Sequence, residues 1–412
     1  MPQPPLHGLR VIETATGISG PFAGRLLASL GAHVVKVEPA DGDPARIQPV
    51  DDTPLAEGEL SPLYIHLNAG KLNVKPDDIE PSWADVVIAG DVPADLTDTK
   101  WAPARLRSHD TRLVTTTAWG ANSPDAGCIA DELLVQTATG FLGFNGDEGL
   151  TPLRLPGWQS QYAAGGLAST MVQLIGRTDA SHIDVSWLGA LLTATELCYG
   201  DALHCQRVRS KVGAHPPTAF PSGAIKCKDG HFAPGSIRPI DWEMQCLFYG
   251  LPEWIDDPEL RDRLKRRHHI PMIWDHITPW YLEREKKEIF ELALSSPWAA
   301  GMVMTPLDTL SDPHLSARGY LGSIETQQGS AIGPIRPFRA PGLPVPDQRV
   351  RVKGSDLAPV EKQGAPLKLR SFSDLRLLEM TISWAGPYVG NVLGPLGIEV
   401  IKIESTAPFD GF

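Results

Sequence analysis

The chain has 412 residues, 42% of them hydrophobic, with 37 basic against 49 acidic side chains and a net charge of −12. That is enough apolar material for more than one core, while an acidic balance without a long basic tract argues against nucleic acid or anionic membrane as partners. Five cysteines without a C-x-x-C pair exclude a disulfide framework and offer no paired metal ligands.

Residues 9–13 are a short apolar run ending at a Thr/Gly-rich turn. Gly20 and Pro21 then open a helical stretch with apolar residues at 22, 23, 26, 27 and 30, a period near 3.6. Gly31 closes that helix, and residues 34–37 (VVKV) supply the next strand. This βαβ unit predicts a parallel sheet. Residues 84–89 (ADVVIA) and 113–117 (LVTTT) add strands to it, and the small, apolar stretch from 162 to about 198 predicts two buried helices joined near 177–182. Beyond 204 proline, lysine and tryptophan become frequent, which marks a smaller mixed α/β domain. Its basic run at 261–269 (RDRLKRRHH) suits a solvated helix face. Residues 319–372 are rich in Pro, Gly and Gln and predict an extended return segment and linker. The N-terminus lacks a signal-peptide profile, and no apolar run reaches the roughly 18 residues of a membrane span. The expectation is a soluble, cytoplasmic protein.

The opening segment returns. Residues 9–38 align without a gap to 375–404, an offset of 366, with 12 of 30 positions identical. Glu13/Glu379, Gly20/Gly386, Gly24/Gly390, Gly31/Gly397, Lys36/Lys402 and Glu38/Glu404 are among them. An offset of 366 residues is far longer than a solenoid repeat and has the length of an enzyme subunit. The expected organisation is therefore a large Rossmann-like domain at 1–204, a small domain at 205–318, a return segment and linker at 319–372, and at 373–412 the truncated start of a second copy.

The turn at 16–21 (TGISGP) joins a strand to a helix, where parallel-sheet folds bind ligands. Gly17, Ile18 and Ser19 are candidate ligand contacts; the glycines equally suit close helix–strand packing alone. The turn lacks G-x-G-x-x-G spacing, so no nicotinamide or flavin cofactor is indicated.

Several segments together resemble the class III CoA-transferases, the formyl-CoA and carnitine-CoA transferase family that also holds α-methylacyl-CoA racemase. They are the opening motif in both copies, GDPAR (42–46), LNAGKLNV (67–74), ADVVIA (84–89), the segment 132–141, PLRLPGWQSQYAAG (152–165), HIDVSW (182–187), KDGHF (228–232) and DPHLSARGY (312–320). The resemblance implies an interlocked dimer of ring-like subunits and coenzyme A as acyl carrier, with no metal. It also implies CoA exchange between an acyl-CoA and a carboxylic acid. In that chemistry an aspartate attacks the thioester to give a mixed anhydride, and the freed thiolate then re-attacks to leave an enzyme-bound thioester.

The family segment for that aspartate, laid over residues 152–165, matches Pro152, Arg154, Tyr162 and Gly165 but puts Gln161 at the nucleophile. A neutral amide has no ionised oxygen to attack with; Gln161 is left with ligand hydrogen bonding or a helix-capping role. The family's Asn-Phe-Arg-Pro-Gly loop is replaced by residues 90–94 with an acid at Asp91, and of the Lys-Arg pair that follows the N-x-x only Lys71 is kept. Lys71 is the candidate cation for the nucleotide end of CoA. The racemase histidine falls on Asp131, which with Glu132 forms the nearest pair of carboxylates; solvated loop positions are expected for both. The function expected is the N-terminal half of a tandem CoA-transferase, with the second repeat or another subunit as protein partner. Two alternatives stay open: a non-catalytic acyl-CoA-binding scaffold, and a CoA-thioester isomerase or lyase that uses other residues.

Overall fold

The structure is a computed structural model that describes residues 3–49, 53–90, 99–107, 111–176, 180–214, 219–236, 238–338, 345, 347–356, 374–382 and 384–405. The chain divides into two units, 1–135 with 158–194 and 319–412, and 136–157 with 195–318. The boundary expected at 204 thus lies at 194, residues 136–157 join the second unit, and the return segment belongs to the first.

The first unit is built on six parallel strands: β1 (Arg10–Glu13), β2 (His33–Val37), β3 (Leu72–Val74), β4 (Val86–Ala89), β5 (Arg112–Thr117) and β6 (His182–Ser186). Their spatial order is β3-β2-β1-β4-β5-β6, so the winding reverses between β1 and β4. Both of those strands are buried along their whole length, as apolar runs covered on two faces require. Side chains alternate along β1. Val11 enters the core shared with helices α1 (Ser19–Ser29) and α5 (Gln159–Ile175); Ile12 enters the opposite core with Val35, Val87, Trp101 and Leu113. Between α1 and α5 the unit also carries α2 (Pro62–Asn68), α3 (Pro103–Leu106) and, up to Val135, the first part of α4 (Glu132–Ala138).

Two departures from the sequence reading concern strands. The stretch expected to be two helices holds α5, then β6, then α6 (Trp187–Leu192) and α7 (Glu196–His204). As an edge strand with polar His182, Asp184 and Ser186, β6 lacks the apolar run that marks β1 and β4. Within 319–372, β10 (Leu321–Thr326) and β11 (Gly329–Pro334) form an antiparallel hairpin through backbone pairing. The guanidinium of Arg25 on α1 fastens the chain just beyond it, donating to Ile335 O at 2.8 Å and Gln348 Oε1 at 2.5 Å.

The second unit has a three-stranded antiparallel sheet, β7 (Ile225–Cys227), β8 (Gly230–Pro234) and β9 (Ala300–Met302). It packs with α8 (Pro239–Tyr249) and helices Ile270–Leu282 and Lys286–Leu294 around Phe220, Phe232, Trp242, Tyr281 and Trp298. The basic run is not uniformly solvated. Arg266 is buried, lies 3.8 Å over the Trp242 ring, and donates to Leu260 O, Phe220 O and Ser236 Oγ.

The repeated segment folds as its first copy does. Strands β12 (Arg376–Glu379) and β13 (Glu399–Lys402) pair in parallel and flank a helix at Ala385–Leu393. Their register, Arg376↔Glu399 to Glu379↔Lys402, reproduces Arg10↔His33 to Glu13↔Lys36 position for position.

Candidate functional site

The carboxyl ends of β1 and β4, where the winding reverses, are the site such a sheet offers to a ligand. The 16–21 turn sits there. Gly17 has φ +76°, a left-handed conformation that favours glycine, and its N–H donates to Asp43 Oδ1 at 3.0 Å. Ile18 turns its side chain into a core with Leu63, Tyr64 and Leu67, and Ser19 Oγ accepts from Trp187 Nε1 at 3.0 Å. Side chains of Ile18 and Ser19 are therefore spent on the fold. What the turn presents is backbone, at the start of α1, which has no side-chain cap. Gly20 answers to packing, since a Cβ there would collide with the side chain of Ala15.

Lys71 does not face a ligand. It is buried, and its ammonium donates to Glu13 Oε2 at 2.7 Å, Pro21 O at 2.8 Å and Asn68 Oδ1 at 3.2 Å. An ammonium has three donors, so none is left for a phosphate. Burial, then the nearby Lys36 cation, lower its pKa to about 8 against the partial support of Glu13. The other oxygen of Glu13 takes Lys36 at 2.9 Å, and Lys36 also pairs with Asp43 at 2.8 Å. Burial alone would depress Lys36, but Asp43, Glu13 and Glu38 hold it above the ordinary lysine range. The GDPAR motif closes this network: Arg46 donates to both oxygens of Glu38 at 2.7 and 2.8 Å and lies 4.2 Å over the Tyr64 ring. Burial would raise the Glu38 carboxyl; the Arg46 hydrogen bonds and the Lys36 charge outweigh it and bring the pKa to about 2. Three carboxylates and three cations thus balance beneath the turn and fix its backbone.

Gln161 lies in the first turn of α5, close to the α1 terminus. Gly165 permits that approach, because a Cβ there would strike Ser19 O at 2.5 Å, and Tyr162 meets Phe22 edge-on with ring centroids 4.8 Å apart. Burial raises the Tyr162 pKa. His66, beside Phe22, is held neutral with a pKa near 4, mainly by burial and then by the Arg25 and Lys71 charges.

Glu132 departs from the solvated position expected of it. It is buried, and it accepts from Ser160 N at 2.8 Å, Ser160 Oγ at 2.7 Å and Gln161 Nε2 at 3.4 Å. A carboxylate at the start of α5 satisfies an orphan N–H and meets the positive end of the helix dipole. Its partner is 28 residues away, so no local spacing could have revealed it. Asp131 stays exposed and caps α4 through Leu134 N at 2.8 Å. The loop around Asp91 lies outside the described residues. The α5 terminus therefore carries a neutral amide bonded to a capping carboxylate, an arrangement that can orient a ligand but offers no free nucleophile at position 161.

Among the described residues no group of His, Cys, Asp and Glu is arranged to hold a metal ion, and no helix is long and apolar enough to cross a membrane.

Comparison with known proteins agrees with this fold. A succinate–glutarate CoA-transferase of Agrobacterium fabrum is 26% identical over 357 residues, 81% of this chain and 88% of that protein. A probable CoA-transferase of Mycobacterium tuberculosis is 27% identical over 94% of this chain, which spans only 52% of that relative's length. Among solved structures, a CAIB/BAIF family protein from Brucella suis superposes with a TM-score of 0.71 at 21% identity, covering 86% of this chain and 97% of that one. The sequence model of CoA-transferase family III matches residues 6–359, and the chain belongs to that family.

Proposed function

We propose that residues 1–412 are the N-terminal half of a tandem CoA-transferase, acting on acyl-CoA thioesters and carboxylic acids, in which this half supplies architecture and the second repeat supplies the nucleophile. The observation that carries the reading is Gln161. It occupies the first turn of α5 where the family resemblance calls for an aspartate, and its amide is bonded to Glu132. Thioester exchange needs an ionised carboxylate at that point, which attacks the acyl-CoA and expels CoA thiolate to form the anhydride; the thiolate then adds to the enzyme's own carbonyl in that anhydride and displaces the acyl carboxylate. An amide does not start this sequence. The recurrence of the βαβ unit at 376–402, in matching register, supports a second repeat.

In this reading, CoA contacts on the first half come from backbone at Gly17, Ile18 and Ser19 rather than from Lys71, whose donors are taken. Fusion would replace an association of separate subunits by an intramolecular one, set by the linker's effective concentration.

The test is peptide mapping of the native protein by mass spectrometry to the position 366 residues beyond Gln161, with acyl-CoA turnover measured on residues 1–412 alone. The reading expects an aspartate there and no turnover by the isolated half. Turnover of a CoA thioester by residues 1–412 would replace it with an enzyme that uses other groups. A different residue at the mapped position, with no turnover, would replace it with an acyl-CoA-binding scaffold.

A further inference from the structure

The two βαβ units share register and glycine geometry but not surroundings. In the first, a Cβ on Gly24 would collide with Glu13 Oε2 and come within 3.1 Å of Lys71 Nζ, so this glycine makes room for a carboxylate and the lysine that neutralises it. In the second, a Cβ on Gly390 would collide with Glu379 Oε2, so the carboxylate sits in the same cradle. Among the described residues no lysine reaches it. Glu379 is 7% exposed, and its Oε1 has no hydrogen-bond partner among the described residues. Lys402, the counterpart of Lys36, pairs instead with Glu404 at 2.9 Å.

The apolar faces differ in the same sense. Leu375, Leu377, Val392, Leu393 and Leu396 pack against the first unit's core. The opposite face of the strands is open: Leu378 is 54% exposed where Ile12 is 0%, and Ile401 and Ile403 are 44% and 51% exposed where Val35 and Val37 are 0%. In the first copy that face packs against Ile79, Trp101 and Leu106, the last on α3, while β3 and β4 fill the two edges. Among the described residues both edges of the second pair lack neighbours as well, since β12 and β13 pair only with each other.

We infer that the unit at 376–402 is a docking surface for a segment of the same polypeptide corresponding to residues 62–117, which adds a strand on each edge, covers Leu378, Ile401 and Ile403, and brings a lysine to Glu379. The inference rests on the tandem reading and deepens it. The occupant is argued from three features. The vacant edges match those that β3 and β4 fill in the first copy, and the open face matches the one that packs against Trp101 and Leu106 there. A buried carboxylate without a cation is costly and calls for a positive group. The relative that aligns with 94% of this chain is about twice its length.

The deciding measurement is hydrogen exchange at the Met380 amide, in the native protein and in residues 1–412. Its counterpart, the Thr14 N–H, donates to Ile88 O at 2.9 Å, a bond that β4 supplies. Expected is at least about 100-fold slower exchange in the native protein, with a lysine 366 residues beyond Lys71 in its peptide map. Glu379→Gln should lower the midpoint of the native protein and leave that of residues 1–412 unchanged or higher, because only the former has a cation to lose. A longer native chain in which Met380 exchanges at the same rate as in residues 1–412, or which has no lysine at that position, overturns the docking inference and leaves the tandem reading standing. An intact mass ending at Phe412 overturns both, and Met380 protection that then rises with protein concentration would make a second copy of this chain the occupant.

Discussion

Replacing Glu13 by glutamine tests the charge network that holds the candidate site. Glu13 is fully buried and is the carboxylate shared by Lys36 and Lys71. Lys36 keeps Asp43 at 2.8 Å after the change, whereas Lys71 is left with only Pro21 O and Asn68 Oδ1. Breaking a buried pair from one side costs about 3–5 kcal/mol. Lys71 limits its own share, because with a pKa already near 8 it escapes by losing its proton. About one pKa unit separates it from pH 7, so that share is roughly 1.4 kcal/mol. The remainder falls on Lys36, and the total expected is near the lower end, about 3 kcal/mol. The pH dependence is signed. The folded pKa of Lys71 lies below its ordinary 10.5, so between pH 8 and 10.5 the unfolded chain binds more protons. Stability should therefore rise with pH across that window, by at most about 1.4 kcal/mol per unit; in Glu13→Gln, where Lys71 loses its proton at still lower pH, the rise should persist and begin earlier, and in Lys71→Met it should vanish. Urea unfolding at pH 7, 8, 9 and 10, with hydrogen exchange of β1 to report on the first unit, measures both. A loss under about 1 kcal/mol at pH 7, or a slope that survives in Lys71→Met, would refute the reasoning.

Other consequences are simpler to state. Glu132→Gln removes the charge that accepts from Ser160 N and Ser160 Oγ, and a loss of about 1–3 kcal/mol in denaturant unfolding is expected; no loss would deny Glu132 its capping role. Gln161→Asp places a second carboxylate against Glu132 Oε2, where like charges repel and the Ser160 donors are already shared, and full transferase activity should not return. Rapid formyl, succinyl or carnitine CoA exchange by that variant would overturn this. His66 has a folded pKa near 4 against an ordinary 6.5, so stability should fall as pH drops from 6.5 to 4. His66→Phe should flatten that fall, and an unchanged acid limb in its unfolding curve would show that His66 takes up its proton without strain.

The sequence displayed the central βαβ unit because β1, β2 and β4 are apolar runs bounded by glycine, and burial on both faces demands such runs. It concealed β6 and the β10–β11 hairpin because edge and hairpin strands are held by backbone hydrogen bonds, which composition does not record. The family motifs located the candidate site, yet they did not say which way side chains point. Lys71 was legible as a cation and not as a buried one, since its carboxylate lies 58 residues away on β1. Glu132 and Ser160 are likewise joined only by folding.

The repeat adds a comparison that a single domain cannot supply. A similar local sequence, identical at 12 of 30 positions, occupies two environments within one chain, and it adopts the same register, helix and glycine contacts in both. Local pattern is therefore sufficient for the backbone of the βαβ unit. The charge network is not local: Glu13 finds Lys71 only because β3 lies beside β2, while Glu379, with the strand and helix geometry intact, has an oxygen without a donor among the described residues. The difference between Glu13 and Glu379 thus separates what the βαβ sequence does for itself from what neighbouring segments must contribute. By the same reasoning the turn at Gly17 to Ser19 owes its fixed backbone to Asp43 and Lys36 beneath it, and a copy without that support would not hold its turn as firmly.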